Sequence, residues 1–194
     1  MIIKTTPIQN MADAFSVKGK NVIVTGGNRG IGLGISAAYA QSGANVAILC
    51  RNKGSGDKAV QQLGQYGTQC LCVACDVSEA GSVKAAVDRI FEKLSGVDVL
   101  VNNAGTSTVC EFLNDKDLRE WHRVINTNLH GPAHTIYEVV PRIIKAGKGG
   151  SVINISSTGG QALGGARTHP MPSYHASKAA LDMFTRNMAI EFGD

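Results

Sequence analysis

The sequence predicts an α/β protein of Rossmann type: a doubly wound parallel sheet of five strands in the order 3-2-1-4-5, with helices on both faces. Three observations lead there. Apolar runs of strand length alternate with stretches of helical length, the pattern of a parallel sheet buried on both sides. A glycine-rich turn stands between the first strand and the first helix, where doubly wound folds place theirs. No shift in composition marks a second domain in the 194 residues, a length that suits one unit with a sizeable core. We therefore expect an N-terminal arm over residues 1–16 and a single domain over 17–194.

In chain order, residues 21–25 read as an apolar first strand. Residues 30–42 read as helix, closed by Gly43 at the C-terminal end. Residues 45–50 form the second strand, 56–66 a helix and 70–75 the third strand. Residues 79–94 carry a well-patterned amphipathic helix that Ser78 is placed to cap. Residues 97–101 form the fourth strand. A longer helical stretch falls within 114–146, with a break expected around Gly131-Pro132. Residues 151–155 form the fifth strand and 174–192 the last helix.

Composition excludes several classes. Hydrophobic residues make up 43%, charged residues 18%, and the net charge is +4, ordinary values for a soluble globular protein. No basic stripe interleaved with aromatics appears, so no nucleic-acid partner is expected. Apolar runs such as Val46 to Cys50 are far too short to span a bilayer, so no membrane partner is expected. The N-terminus shows no apolar signal-peptide core, and a cytoplasmic location is the default. Five cysteines occur, an odd count that argues against a disulfide framework. Cys70-x-Cys72-x-x-Cys75 has the look of a metal site. However, it alternates with Leu71 and Val73 in a strand and lacks a nearby fourth ligand. Small buried hydrophobes, and no metal, are the expectation.

The glycine turn runs Thr25-Gly26-Gly27-Asn28-Arg29-Gly30-Ile31-Gly32. After a strand, the N–H groups and dipole of a helix N-terminus favour a pyrophosphate, and glycines let the backbone come close to it. An ordinary glycine-rich turn is the plainer alternative. In NAD binders the second strand ends in an acidic residue that bonds the ribose 2′-hydroxyl. Here it ends Leu49-Cys50-Arg51-Asn52, with no carboxylate. Arg51, with Arg29 in the turn, can instead hold a 2′-phosphate, so NADP(H) is preferred over NAD(H). Otherwise Arg51 is simply a solvated residue at a strand end.

Tyr174 and Lys178, in Tyr174-His175-Ala176-Ser177-Lys178, place a phenol and an ammonium on one helix face about one turn apart. A lone phenol exchanges protons poorly near neutral pH. A neighbouring cation favours the phenolate, which suits acid–base work in alcohol and carbonyl chemistry. A Tyr and a Lys also fall at this spacing on many helices by chance.

The glycine turn, Asn102-Asn103-Ala104-Gly105 after the fourth strand, Ser156-Ser157 after the fifth and Tyr174-x-x-x-Lys178 occur in this order. From about Lys18 to its C-terminus the chain thereby resembles the short-chain dehydrogenases/reductases. That resemblance implies Tyr174 as general acid/base, with Lys178 tuning it and holding the nicotinamide ribose. It implies Ser157, rather than Ser156, as the group that orients the substrate oxygen. Asn128, in Asn126-Thr127-Asn128-Leu129-His130-Gly131, matches the helix asparagine whose water relays protons to Lys178. Gly26, Asn28, Arg29, Gly30, Ile31, Gly32 and Arg51 would hold the phosphates, Asp76 and Val77 the adenine, and Asn102, Ala104 and Gly105 the rest of the cofactor. Taken singly, each has a structural alternative: Ser157 as a turn residue, Asn128 as a core amide, the Asn102-Asn103 pair as turn-shaping, Lys178 as solvated.

Two departures from the family stand out. Residues 159–172 are glycine- and proline-rich and longer than usual, which reads as a loop at the substrate mouth where Arg167 and His169 can meet a polar substrate. The family's further strand, covering helical segment and last strand are also expected to be missing after the Tyr174 helix, leaving the fifth strand as an apolar edge. The expected function is NADP(H)-dependent interconversion of a secondary alcohol and a ketone. A ketose, polyol or sugar-acid substrate is preferred over a 3-oxoacyl thioester, on the likeness of the glycine turn and of Phe15-Ser16-Val17-Lys18-Gly19-Lys20 to sugar and polyol dehydrogenases. The alternative is a nucleotide-binding module or fragment without turnover. A homodimer or homotetramer is implied for a full-length chain. A Ser-His-Asp hydrolase can be nominated from Ser157, His169 or His175, and Asp182, but the Gly-x-Ser-x-Gly elbow is absent.

Overall fold

Five strands, all parallel, form one sheet in the order β3-β2-β1-β4-β5. A computed structural model of the chain describes residues 15–162 and 171–193. The strands are β1 (Asn21–Thr25), β2 (Asn45–Cys50), β3 (Cys70–Ala74), β4 (Val99–Asn102) and β5 (Ser151–Asn154). The helices are α1 (Gly30–Gln41), α2 (Lys53–Leu63), α3 (Ala80–Lys93), α4 (Arg119–Ile125), α5 (Gly131–Ala146) and α6 (Pro172–Phe192). Successive strand residues point to opposite faces, and the sheet uses both. Ile23, Leu49 and Leu100 pack with Val83, Val87 and Ile90 of α3 and Val139 of α5. Val22, Val24, Ile48 and Val101 pack on the other face with Ala40 of α1 and Leu63 of α2. The strand order reverses between β1 and β4, the place where doubly wound sheets leave a crevice at their carboxyl ends.

Several element bounds differ from expectation, each for a local reason. α2 begins at Lys53, three residues early, because the Asn52 side chain accepts the Ser55 N–H at 2.9 Å and caps it. Gly56 does not prevent this helix. It lets α2 settle on two thiols, since a Cβ there would lie 2.1 Å from Cys72 Sγ. Ser78 does not cap α3; its hydroxyl donates to Asp76 Oδ1 at 2.7 Å, and Glu79 holds the cap position. The long helical stretch does not break at Gly131-Pro132: it runs on from Arg119 to Ala146 and only widens, just before that pair, into a π turn over Asn126–His130. Pro132 follows at the second residue of α5, with helical backbone on its N-terminal side. β3 and β5 are the two edge strands of the described sheet, and on β5 Val152 is 37% and Ile153 40% exposed.

Cys50 and Cys75 are buried, while Cys70, Cys72 and Cys110 are half-buried. Burial, with the hydrogen bond to Cys50 second, pushes the Cys72 thiol up to about 12, and burial pushes Cys75 up to about 11. Among the described residues no helix is long and apolar enough to cross a membrane. Arg167 and His169 lie outside the described residues.

Candidate active site

A cleft of about 670 Å³ opens at the carboxyl ends of the strands. Its walls are the glycine turn (Gly26, Asn28, Arg29, Gly30, Ile31, Gly32), the β2 end at Arg51, Asp76-Val77 after β3, and Ala104-Gly105 after β4. Gly32 makes the turn possible: a Cβ there would fall 2.2 Å from the Gly26 carbonyl oxygen and 2.4 Å from Asn103 Nδ2. Asn28 Nδ2 donates to Ser55 Oγ at 2.8 Å, and Ser55 Oγ donates to the Asn52 carbonyl at 2.8 Å, tying the turn to α2. Arg29, at the N-cap of α1, makes no side-chain cap, and the first turn holds no acidic residue. Its N–H groups are thus left for an anion. Arg29 and Arg51 are exposed on the cleft wall, and neither pairs with a carboxylate among the described residues. Two guanidiniums, uncapped helix N–H groups and a glycine floor form a donor set that fits the phosphates of a dinucleotide.

The segment after β4 corrects one expectation. Asn102 does not line the cleft. It is 3% exposed, its amide donating to Asn154 Oδ1 at 2.9 Å and accepting from Thr135 Oγ1 at 2.7 Å. Strand alternation turns Asn102 inward and the next residue outward. Asn103 lines the cleft instead, with Nδ2 donating to the Thr25 carbonyl at 3.0 Å. Thr25 Oγ1 accepts both the Asn103 and Ala104 N–H groups, at 3.0 and 2.9 Å. Asn103, Ser55, Thr106 and Thr127 are wall residues that sequence inspection missed. Period-two alternation through β4 was the available signal for Asn103.

Tyr174 and Lys178 lie on α6, one turn apart, with the ammonium 6.0 Å from the centre of the phenol ring. Lys178 is not solvated. It is 5% exposed and donates to the Ile155 carbonyl at 2.6 Å, leaving two donors for other partners. Burial lowers its pKa from the usual lysine range, with Asp182 one turn on opposing the shift. Asn128 is fully buried in the π turn, where such turns recur at functional sites. Its Oδ1 accepts the Thr106 N–H at 2.8 Å, and its Nδ2 donates to the Thr106 carbonyl at 2.9 Å and to Ser177 Oγ at 3.0 Å. A Cβ placed on Gly105 would lie 3.5 Å from Asn128 Oδ1 and 3.9 Å from Lys178 Nζ. Asn128, Lys178 and the cleft wall therefore meet at one point. Ser157 opens a short 3-10 turn, its Oγ accepting the Gly159 N–H at 3.1 Å. That turn is pressed onto α6: a Cβ on Gly160 would lie 2.8 Å from the Lys178 carbonyl carbon. Backbone contact, rather than side-chain chance, thus keeps Ser157 beside the Tyr174 helix.

Comparison with known proteins bears out the family resemblance. The family profile for short chain dehydrogenase matches residues 20–194. The chain belongs to the short-chain dehydrogenase family. Members are oxidoreductases that use NAD(H) or NADP(H). The 3-oxoacyl-[acyl-carrier-protein] reductase FabG of Chlamydia pneumoniae is 38% identical over 173 residues, covering 89% of this chain and 67% of that protein. Sorbose reductase sou1 of Schizosaccharomyces pombe is 33% identical over 184 residues, covering 94% of this chain and 71% of that one. A short-chain type dehydrogenase/reductase from Mycobacterium marinum superposes with a TM-score of 0.89 at 30% identity, covering 95% of this chain and 71% of that chain. Across the curated relatives compared, this chain spans 55–71% of their length.

The buried Lys178 carries a prediction on stability. Its lowered pKa means that the folded state disfavours the charged form. The cost is fully present at neutral pH and is relieved as pH rises through the folded-state pKa toward the ordinary lysine value. Lys178→Met removes the group, so wild type should gain stability relative to this variant as pH climbs through the alkaline range. Urea titrations of both proteins from pH 7 to about pH 10 measure the difference; a constant offset refutes the burial cost.

Proposed function

We propose that this chain interconverts a secondary alcohol and a ketone with NADP(H), using Tyr174 as general acid/base. The observation that supports this most is the convergence of Lys178 and Asn128 on the Gly105 wall of the cleft, with Tyr174 one turn from Lys178. When bound, the dinucleotide supplies or accepts the hydride. In the reducing direction the Tyr174 hydroxyl gives its proton to the carbonyl oxygen, and in the oxidising direction it takes the hydroxyl proton. Ser157 donates to the same oxygen and holds it in place, since its Oγ already accepts from Gly159 and its own proton is available. Lys178 supplies positive charge beside the phenol and passes protons on. Both amide N–H donors of Asn128 are taken by protein partners, so any relay through it uses its carbonyl oxygens.

The substrate class follows as part of the same proposal. One relative is named a sorbose reductase and another a 3-oxoacyl reductase, and we favour a ketose, polyol or sugar acid. Assembly into a homodimer or homotetramer is supported by exposed apolar residues at seven-residue spacing, Tyr137 and Ile144 on α5 and Met183 and Ile190 on α6. The competing function is nucleotide binding without turnover, in which the cleft holds the dinucleotide and no substrate reacts.

One experiment separates the two. With NADPH at ~100 times its Kd, binding alone stabilises by about 2.7 kcal/mol, which raises Tm by roughly 5–10 °C for a chain of this size. A panel of ketoses then either consumes NADPH, followed at the nicotinamide absorbance, or does not. Stabilisation without consumption supports the binding module; no stabilisation defeats both. Arg51→Asp tests the phosphate assignment. It replaces a charge-assisted bond with repulsion and should shift the NADPH-to-NADH affinity ratio toward NADH by roughly 10- to 100-fold. An unchanged ratio removes Arg51 from the site.

A further inference from the structure

Arg123 of α4 is exposed and belongs to none of the motifs above, yet it reaches the cleft wall. Its Nη1 donates to Thr106 Oγ1 and its Nη2 to the Ser107 carbonyl at 3.3 Å. Glu120, one turn back, fixes the guanidinium from the other side, accepting from Nε at 2.9 Å and from Nη2 at 2.7 Å. The Arg123 carbonyl accepts the Thr127 hydroxyl at 2.9 Å, and Thr127 is itself a wall residue. The segment after β4 is therefore pinned at three places: by Thr25 at Asn103-Ala104, by the Asn128 amide at the Thr106 backbone, and by Arg123 at the Thr106 side chain and Ser107. The first two hold only its inner end. Between Ser107 and Asn114 the one described hydrogen bond to this segment from α4 comes from Arg123; the next lies at Asp115, whose carboxylate accepts the Glu120 and Trp121 N–H groups.

We propose that Arg123 is a positioning residue, a fork that holds Thr106-Ser107 over the nucleotide cleft and keeps the Thr106 backbone engaged with Asn128. It touches no reacting atom. A planar guanidinium does this because it spans two acceptors on the loop while a carboxylate clamps its back edge; an ammonium is a point charge and cannot. The role rests on the dinucleotide assignment of the cleft.

The test has two arms that fail separately. Amide hydrogen exchange on the full chain without nucleotide reads the clamp. Arg123→Ala should speed exchange of the Thr106 amide, which is bonded to Asn128, while the amides of β1 stay as in wild type. NADPH titration reads the consequence: Kd should rise roughly tenfold, the loss of one or two charge-assisted bonds. In turnover, KM for NADPH should rise with it while kcat falls by no more than about threefold, an uneven split that global destabilisation would not produce. Arg123→Lys should recover little of the affinity. Thr106→Val removes one acceptor, and combining it with Arg123→Ala should weaken binding no further than Arg123→Ala alone. Unchanged exchange at Thr106, full rescue by lysine or additive losses would each overturn the proposal. Failure of the wild type to bind NADPH would instead sink the dinucleotide assignment, with the exchange arm still deciding whether the clamp exists.

Discussion

Tyr174→Phe should lower turnover roughly 10³-fold, the scale of losing a positioned acid–base group, while NADPH affinity stays within about twofold, a change well under ~1.4 kcal/mol. The substitution removes one oxygen and leaves the ring. The phenyl ring keeps its edge contact with His175, 6.1 Å between centroids, and its place near Lys178. Lys178 keeps its bond to the Ile155 carbonyl, which does not involve the phenol. Asn128 keeps Ser177, whose hydroxyl donates to the Tyr174 main-chain carbonyl at 2.7 Å and so is indifferent to the side chain. Binding and chemistry should therefore separate cleanly. The measurement is single-turnover loss of nicotinamide absorbance with a ketose that wild type reduces, alongside a nucleotide titration. Turnover retained by the phenylalanine variant would strip Tyr174 of the acid role.

Gly32→Ala is the second large effect. The new Cβ would stand 2.2 Å from the Gly26 carbonyl oxygen and 2.4 Å from Asn103 Nδ2. The first of these is backbone and cannot rotate away. Relief requires the glycine turn to move off α1, which disrupts the floor of the cleft and the Asn103 bonds to Thr25 and Gly26 together. Overpacking of this kind costs about 1–3 kcal/mol of stability. If a strain of ~3 kcal/mol also has to be overcome in the bound state, NADPH affinity drops roughly 100-fold. Gly34→Ala, two residues on, is the control. It is exposed and nothing lies within 4 Å of its missing Cβ, so alanine should leave binding intact and add about 0.5–1 kcal/mol through helix propensity. Equal binding by the two variants would mean that the turn at Gly26–Gly32 does not cradle the nucleotide.

Much of this molecule is legible from its residues in order. Strand and helix positions follow from the length and spacing of apolar runs, because a buried parallel strand and an amphipathic helix each impose a period on their own residues. The glycine turn is visible because only glycine tolerates the approach seen at Gly32. Tyr174 and Lys178 announce themselves because a four-residue separation becomes a shared face as soon as the segment is helical.

What stayed hidden depends on partners distant in the chain. Ser78 was placed to cap α3, yet its hydroxyl goes to Asp76. Asn102 and Asn103 are the same residue type side by side, and only the sheet decides that one bonds Thr135 and Asn154 while the other faces the cleft. Arg123 reads as one more charged helix residue until α4 is laid against the loop 16 and 17 positions upstream. By itself, then, the order of residues determined the fold class, the glycine turn and the phenol–ammonium pair, all of which rest on sterics within one or two turns of chain. Packing alone decided the burial of Lys178, the engagement of both Asn128 amide donors and the grip of Arg123, because a hydrogen bond between elements exists only once the sheet has brought donor and acceptor to within 3 Å or so.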